Sequence, residues 1–204
     1  MSRMLLVATK NKKKLQEIRE ILKGLNLRIC SLPEYPNAPR IIENGKTFKE
    51  NAAKKALAIA RFTGEFTLGE DSGLCVYALG GKPGVYSSRF AGKGKSDKKN
   101  NEKLLHLLGN APLKKRKAYY ACAVALANGD GLIKIVEGRC FGTIAYEPKG
   151  SFGFGYDPVF MPPKFKKTFA QLAPSIKHSM SHRFRALSKA KKVIQKYIER
   201  KRVS

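Results

Sequence analysis

Two long runs of strand-forming residues, 117–127 and 132–145, meet at Asn128-Gly129-Asp130-Gly131. Asn-Gly and Asp-Gly supply the positive-φ positions of a tight hairpin turn, so the two runs are predicted to pair antiparallel. Shorter strand signals lie at 3–8, 27–31, 66–70 and 73–77, and they alternate with helical periodicity at 12–24, 47–63, 98–108 and 182–200. Strands interspersed with helices predict the α/β class, and the hairpin makes the sheet mixed rather than all parallel. Three Pro- and Gly-rich connections, 32–46, 78–95 and 148–164, are long for a compact domain, and connections of that length usually carry function. The chain shows no internal repeat and no low-complexity linker.

The 204 residues, 43% of them hydrophobic, suffice for one large domain or two small ones with a real core. No apolar run is long enough to cross a bilayer, and the N-terminal residues lack a signal-peptide pattern, so a soluble cytoplasmic protein is expected. Cys30, Cys75, Cys122 and Cys140 lie far apart in apolar runs, which predicts buried free thiols rather than a disulfide or zinc site. The outlier is charge: 41 Lys and Arg against 15 Asp and Glu, a net +26. Such a field attracts polyanions. The lysines are scattered, and no basic–aromatic alternation offers bases a stacking platform. A solvated, lysine-coated surface is the simpler expectation, and a nucleic-acid-binding protein without hydrolase activity the alternative.

In so basic a chain the acids are informative. Glu70 and Asp71 follow an apolar strand signal directly, and paired carboxylates at the end of an interior strand are costly unless a cation or a reaction holds them there. The first strand ends at Ala8-Thr9-Lys10-Asn11 and a helix follows, a turn whose free N–H groups suit phosphate. Three lysines at that helix start oppose the macrodipole, a conflict that a bound anion would remove. Lys14 shares a stripe with Ile18, Ile21 and Leu25, and Lys55 is centred on the apolar stripe Phe48, Ala52, Ile59, Phe62. An inward lysine must snorkel, lose its charge or meet an anion. Thr47 and Glu50 form a capping box for that helix. In the last helix, for which Ser181 is a plausible N-cap, Arg183 lies on the apolar face beside His182. The pair either packs as ordinary structure or donates to ligand oxygens. The run Gly150-Ser151-Phe152-Gly153-Phe154-Gly155-Tyr156-Asp157 can let backbone and an aromatic face approach a planar ligand, or can simply plug a core.

Several segments now stand in a specific order: residues 8–14, 47–52, 70–74, 80–87 and 154–158, then Lys177 and Ser181-His182-Arg183. Any one is weak; the ordered set, spanning nearly the whole chain, resembles the inosine triphosphate pyrophosphatase family, hydrolases of deaminated purine nucleoside triphosphates. The resemblance implies one domain over 1–204, an elongated mixed sheet flanked by helices, with two lobes, a central cleft and a homodimeric assembly. It implies a phosphate grip at Thr9, Lys10, Asn11, Lys12, Lys13 and Lys14, with Lys55 also on the phosphates. Asp71 becomes the proton acceptor and, with Glu43, a metal-site acid; Ser72 touches substrate; Phe154, Gly155, Tyr156, Asp157, Lys177, His182 and Arg183 hold the base. Lys10 and Lys13 stand where the family often has glycine, Glu70 often appears as Asp, and Phe184 replaces a common glycine.

The reaction so implied converts a nucleoside triphosphate and water to the monophosphate and diphosphate. Mg²⁺, which takes oxygen ligands and bridges phosphates, is the expected ion, with Glu43, Glu70 and Asp71 as its carboxylates and Glu34 as a second choice on the same loop as Glu43. Catalysis would then rest on Asp71 taking a proton and on Lys14 and Lys55 neutralising the leaving diphosphate. Nucleic acid is not required and no membrane is involved.

Overall fold

The computed structural model describes residues 3–94 and 96–203. The elements follow in the order β1 (Arg3–Val7), α1 (Lys12–Leu22), β2 (Leu27–Ser31), α2 (Phe48–Thr63), β3 (Thr67–Val76), α3 (Asp97–Leu108), β4 (Lys117–Asn128), β5 (Gly131–Ile144), β6 (Phe160–Met161), α4 (Pro174–Met180) and α5 (His182–Val203). One six-stranded sheet runs in the order β2-β1-β3-β4-β5-β6. β1 pairs in parallel with both β2 and β3, whereas β5 and β6 pair antiparallel, so the sheet is mixed. β4 and β5 are sheet neighbours joined across Gly129-Asp130, the hairpin that the turn residues predict.

The chain forms two compact units interleaved along the sequence. The first comprises Met1–Asp71, Cys122–Gly138 and Arg183–Ser204; the second comprises Ser72–Ala121 and Arg139–His182. In the first unit, alternate side chains of each strand serve opposite layers. Leu5, Val7, Leu68, Val124 and Leu126 pack with Ile18 and Leu22 of α1 and with Leu187, Ala190 and Ile194 of α5. On the other face, Ala52, Ala56 and Ala60 of α2 meet Ala123, Ala125 and Ala127 of β4, and Ile59 packs with Leu6, Ala8 and Cys30. Alanine on both sides lets α2 lie unusually close to the sheet. At Gly69 a Cβ would stand 2.2 Å from the carbonyl oxygen of Ala52 and 2.6 Å from the amide of Ala56. The second unit closes around Leu74, Leu104, Tyr120, Ile144, Tyr156, Phe160 and Phe169.

Three readings of the sequence need correction. The signals at 66–70 and 73–77 belong to one ten-residue strand, so Glu70 and Asp71 lie within β3 rather than at a strand end. Acids and glycine read as punctuation, but here each acid is held by partners from a neighbouring helix, and extended backbone continues through them. The connection 148–164 contains β6, and α4 follows it, a proline-initiated helix of seven residues too short for its periodicity to be legible. The connection 78–95 contains a 3₁₀ turn at Gly84–Arg89, preceded by another at Tyr77–Leu79; residue 95 lies outside the described residues. All four cysteines are buried free thiols. Among the described residues no helix is long and apolar enough to cross a membrane.

Candidate active site

Because side chains alternate along a strand, Glu70 and Asp71 project to opposite faces of β3. Asp71 follows the register of Gly69 and faces α2. Its Oδ2 accepts a hydrogen bond from Asn51 Nδ2 at 3.0 Å, and its Oδ1 lies 3.5 Å from Lys55 Nζ. The same ammonium donates to Glu43 Oε2 at 2.7 Å, so two carboxylates converge on one lysine. Lys55 and Asp71 are nearly enclosed, their side chains 9% and 10% exposed, while Glu43 is 41% exposed and opens the group to solvent. Burial pushes the Asp71 carboxyl above the ordinary aspartate range; Lys55 and Lys14 pull it down without cancelling that effect. Burial also disfavours the Lys55 charge, but Asp71 and Glu43 outweigh it and hold the ammonium protonated above its usual range. Lys55 therefore meets an anion, the third of the three fates open to an inward lysine, while its neighbour Lys54 stays exposed and donates to Asn44 Oδ1 at 2.7 Å.

Glu70 follows Leu68 and faces α1 and α5. Lys14 Nζ lies 2.7 Å from its Oε2, and Arg183 donates to its Oε1 at 3.1 Å. Arg183 also donates to Glu17 of α1, and the thiol of Cys122 lies 3.3 Å from Glu70 Oε1. Burial works against the Arg183 charge, but Glu70 and Glu17 outweigh it, so the guanidinium stays protonated. The turn from β1 leads directly into α1 at Lys12, as the sequence predicts. Asn11 is the N-cap, its Oδ1 accepting from the Lys14 amide at 3.1 Å, and Thr9 Oγ1 accepts from the Asn11 amide at 3.1 Å. Lys10, Lys12 and Lys13 are exposed there, and the first turn holds no acid.

The second unit gathers the aromatic and glycine-rich residues. Lys177 Nζ donates to Asp157 Oδ2 at 2.7 Å and sits 4.8 Å from the centroid of the Phe154 ring. Asp157 Oδ2 also accepts from the Phe154 amide at 2.9 Å, and Oδ1 accepts from the Tyr120 hydroxyl at 3.4 Å. His182 stacks on Tyr120 with ring centroids 4.5 Å apart and planes within 8°. Tyr156 is buried and donates to the carbonyl of Ser87 at 2.9 Å. Gly155 is held at both its backbone groups by α3: its amide donates to Asp97 Oδ2 at 2.7 Å, and its carbonyl accepts from Asn101 Nδ2 at 2.9 Å. Its φ of +66° is one that other residues seldom adopt.

Residues 5–193 match the sequence profile of the Ham1 family. The chain belongs to the Ham1 family. It is 49% identical over 192 residues to the dITP/XTP pyrophosphatase of Desulforamulus reducens, covering 94% of this chain and 96% of that one. It is 47% identical over 184 residues to the dITP/XTP pyrophosphatase of Geobacter sulfurreducens, covering 90% and 92%. Among solved structures, a HAM1 protein from Coxiella burnetii superposes with a TM-score of 0.87 at 39% identity, over 95% of this chain and 99% of that one. The Ham1 protein of Staphylococcus aureus superposes with a TM-score of 0.86 at 36% identity, over 96% and 100%. The mixed sheet with flanking helices is the architecture of this family.

Within that family fold, the structure brings Glu43, Lys55 and Asp71 together, and separately Lys14, Glu70 and Arg183. It does not bring Glu70 to Glu43 and Asp71 as a third ligand, and no group of three or more His, Cys, Asp or Glu is spaced to hold a metal among the described residues. Glu34, the second choice for the metal, instead caps its own turn, accepting from the Ser31 amide at 2.7 Å. Ser72, next to Asp71 on β3, is half-buried. Four participants escaped the sequence reading: Asn51, Glu17, Asp97 and Asn101. Asn51 carried a signal, since a buried asparagine one turn before an inward lysine is unusual in a helix core. Glu17 pairs with a residue 166 positions away, which no local pattern reveals.

Proposed function

We propose that this protein hydrolyses non-standard purine nucleoside triphosphates (dITP, ITP and XTP) to the monophosphate and diphosphate. The observation that carries the reading is the convergence of Glu43 and Asp71 on Lys55, beside a helix start dressed with lysines, in a chain close to dITP/XTP pyrophosphatases over most of its length. Two carboxylates, one of them open to solvent, suit Mg²⁺, which is usually held by one or two carboxylates together with water and substrate phosphates. Glu43 and Asp71 would hold it. When bound, such an ion supplies positive charge against phosphate oxygens and acidifies water.

The chain's own residues do the rest. Asp71, with its carboxyl titrating above the usual range, takes the proton of the water that attacks the α-phosphorus. Asn51 fixes the orientation of that carboxylate. Lys55, Lys14 and the positive end of α1 neutralise the charge that grows on the departing diphosphate. Glu70 holds Lys14 in place while Arg183 and Glu17 hold Glu70. Ser72 contacts the nucleotide next to Asp71. Phe154, Gly155, Tyr156 and Asp157 form the base-binding loop, and Lys177 and His182 offer donors to the 6-oxo oxygen of hypoxanthine or xanthine. Arg183 carries five N–H donors, so its bonds to Glu17 and Glu70 are compatible with a further one to the base. Adenine presents a 6-amino donor there instead, and a buried donor left facing a donor is penalised.

The same reading places the enzyme in the cytoplasm as a homodimer. A groove of about 1100 Å³ in the second unit, whose floor of Tyr77, Leu113, Phe141, Met161 and Phe165 is rimmed by Lys114, Lys115, Lys117 and Lys164, would be the face covered by a second copy. The test of function is diphosphate release from dITP, ITP, XTP, GTP and ATP with and without Mg²⁺. Diphosphate from the first three, dependent on the ion, is expected; orthophosphate, or no product, would overturn the proposal.

A further inference from the structure

The proposed reaction uses few of the 41 basic residues, and the structure shows where others are concentrated. On α5 the side chains of Arg185, Lys189, Lys192, Lys196 and Arg200 are all exposed. Their spacing of four, three, four and four residues places them within roughly 80° of one another about the helix axis and spreads them over roughly 22 Å. The opposite face of α5 is consumed: Ala186, Leu187, Ala190 and Ile194 are fully buried against the sheet and α1. Carboxylates are few along α5 itself. Glu137 is held by Lys49 at 2.8 Å and offers Lys189 only its backbone carbonyl, at 2.8 Å, and Glu199 is the one carboxylate among α5 residues 183–200. Lys191 adds a further cation at the flank, anchored to the carbonyls of Ile21 and Lys23 at the end of α1.

We infer that the exposed stripe of α5 is a binding face for the phosphate backbone of duplex nucleic acid, read without regard to sequence. A strand of duplex carries one phosphate per about 3.4 Å of axis, so the stripe spans about six phosphates with five cations. A convex row of long, flexible side chains forms no pocket for a small anion, whereas a polyanion releases counterions at each contact and so engages the whole row. An anionic membrane is the poorer occupant, because a surface-bound helix needs an apolar face to bury and α5 has already spent its own in the core. Single strands are also disfavoured, since no aromatic side chain interrupts the stripe to stack a base.

The test is fluorescence anisotropy of the full chain with two labelled 20-base-pair duplexes of unrelated sequence, across 50–200 mM salt. Five contacts give a slope of about −4.5 in log affinity against log salt, or about 500-fold between those limits, equal for both duplexes. Neutralising three of them in K189Q/K192Q/K196Q should reduce the slope by about 2.7. The variant K93Q/K98Q/K99Q removes the same charge from exposed lysines elsewhere and should leave most of the slope in place. Equal losses in the two variants, absence of binding at 50 mM salt, or a tenfold preference for one duplex would each overturn the inference. Binding of phosphatidylserine vesicles with no duplex binding would do the same. Circular dichroism melts of each variant confirm that the fold is retained. Neither triple variant touches the groups assigned to hydrolysis, so diphosphate release from dITP reports on that proposal separately.

Discussion

Asn51 and Asp71 are joined by a buried hydrogen bond of 3.0 Å from the amide of one to the carboxylate of the other, and Asn51 Oδ1 accepts from the Gly45 amide at 2.8 Å. One side chain thus ties the carboxylate on β3 to the loop that leads into α2. The acid limb of kcat/KM should report the Asp71 carboxyl, which burial raises in the metal-free protein and which must be ionised both to hold the ion and to accept a proton. Asn51→Asp keeps the acceptor for Gly45 but places a second negative charge beside Asp71. Like charge raises the Asp71 pKa further, so the acid limb should move to higher pH. A pH profile of kcat/KM for both proteins decides it; an unmoved limb would remove Asp71 as the titrating base.

Asp71→Asn keeps size and the capacity to accept from Asn51 but cannot take a proton. Turnover should fall by about 10²–10⁴-fold with nucleotide binding largely spared. Single-turnover assays combined with titration calorimetry distinguish this outcome from a general loss of the site.

Lys55→Met would make the apolar stripe of α2 continuous. The structure adds that Asp71 would be left buried without its cation. A loss on the order of 3 kcal/mol is expected. The double variant Lys55→Met/Asp71→Asn should recover much of it, since no buried charge then lacks a partner. Urea melts of the single and double variants give the coupling, and simple additivity would show that the pair is not linked.

Gly69→Ala tests the close approach of α2 to β3. A methyl group there meets backbone on both contacts, which cannot swing aside, so α2 must shift. A destabilisation of about 1–3 kcal/mol is expected, together with lost activity, because α2 carries Asn51 and Lys55. Wild-type melting of this variant would mean that the helix rides further from the sheet than it does here.

Asp97 and Asn101, one helical turn apart on α3, grip the amide and carbonyl of Gly155. Asn101→Leu should loosen the loop that carries Phe154 and Tyr156 and raise KM for dITP more than it lowers kcat. Steady-state kinetics with dITP and dGTP read the split; a fall in kcat alone would assign Asn101 to structure.

Much of this arrangement was legible beforehand, and the physical reasons for the rest are specific. Lys55 betrayed itself because a cation on an apolar stripe violates helix amphipathicity, and the Thr47 cap and the hairpin at residues 128–131 carry strong local chemistry. Glu70 and Asp71 were legible as a pair but not as opposites. Adjacency suggests a shared role until strand pairing shows that consecutive residues face different layers. The bonds from Arg183 to Glu17 and Glu70 join residues 166 and 113 positions apart, and only the assembled sheet and helices bring them together. β6, with two residues, and the clamp on Gly155 leave no periodic trace at all.

The alternation at residues 70 and 71 makes the alignment of β3 with its neighbours a safeguard of chemistry as well as of packing. A slip of one position would exchange the two acids, setting the longer one against Asn51 and Lys55 and the shorter one against the guanidinium of α5. Insertions or deletions in the turn at residues 64–66 should therefore silence the enzyme even where the chain still folds, whereas length changes in the Gly129-Asp130 turn, far along the chain from either acid, should be borne with little effect on turnover.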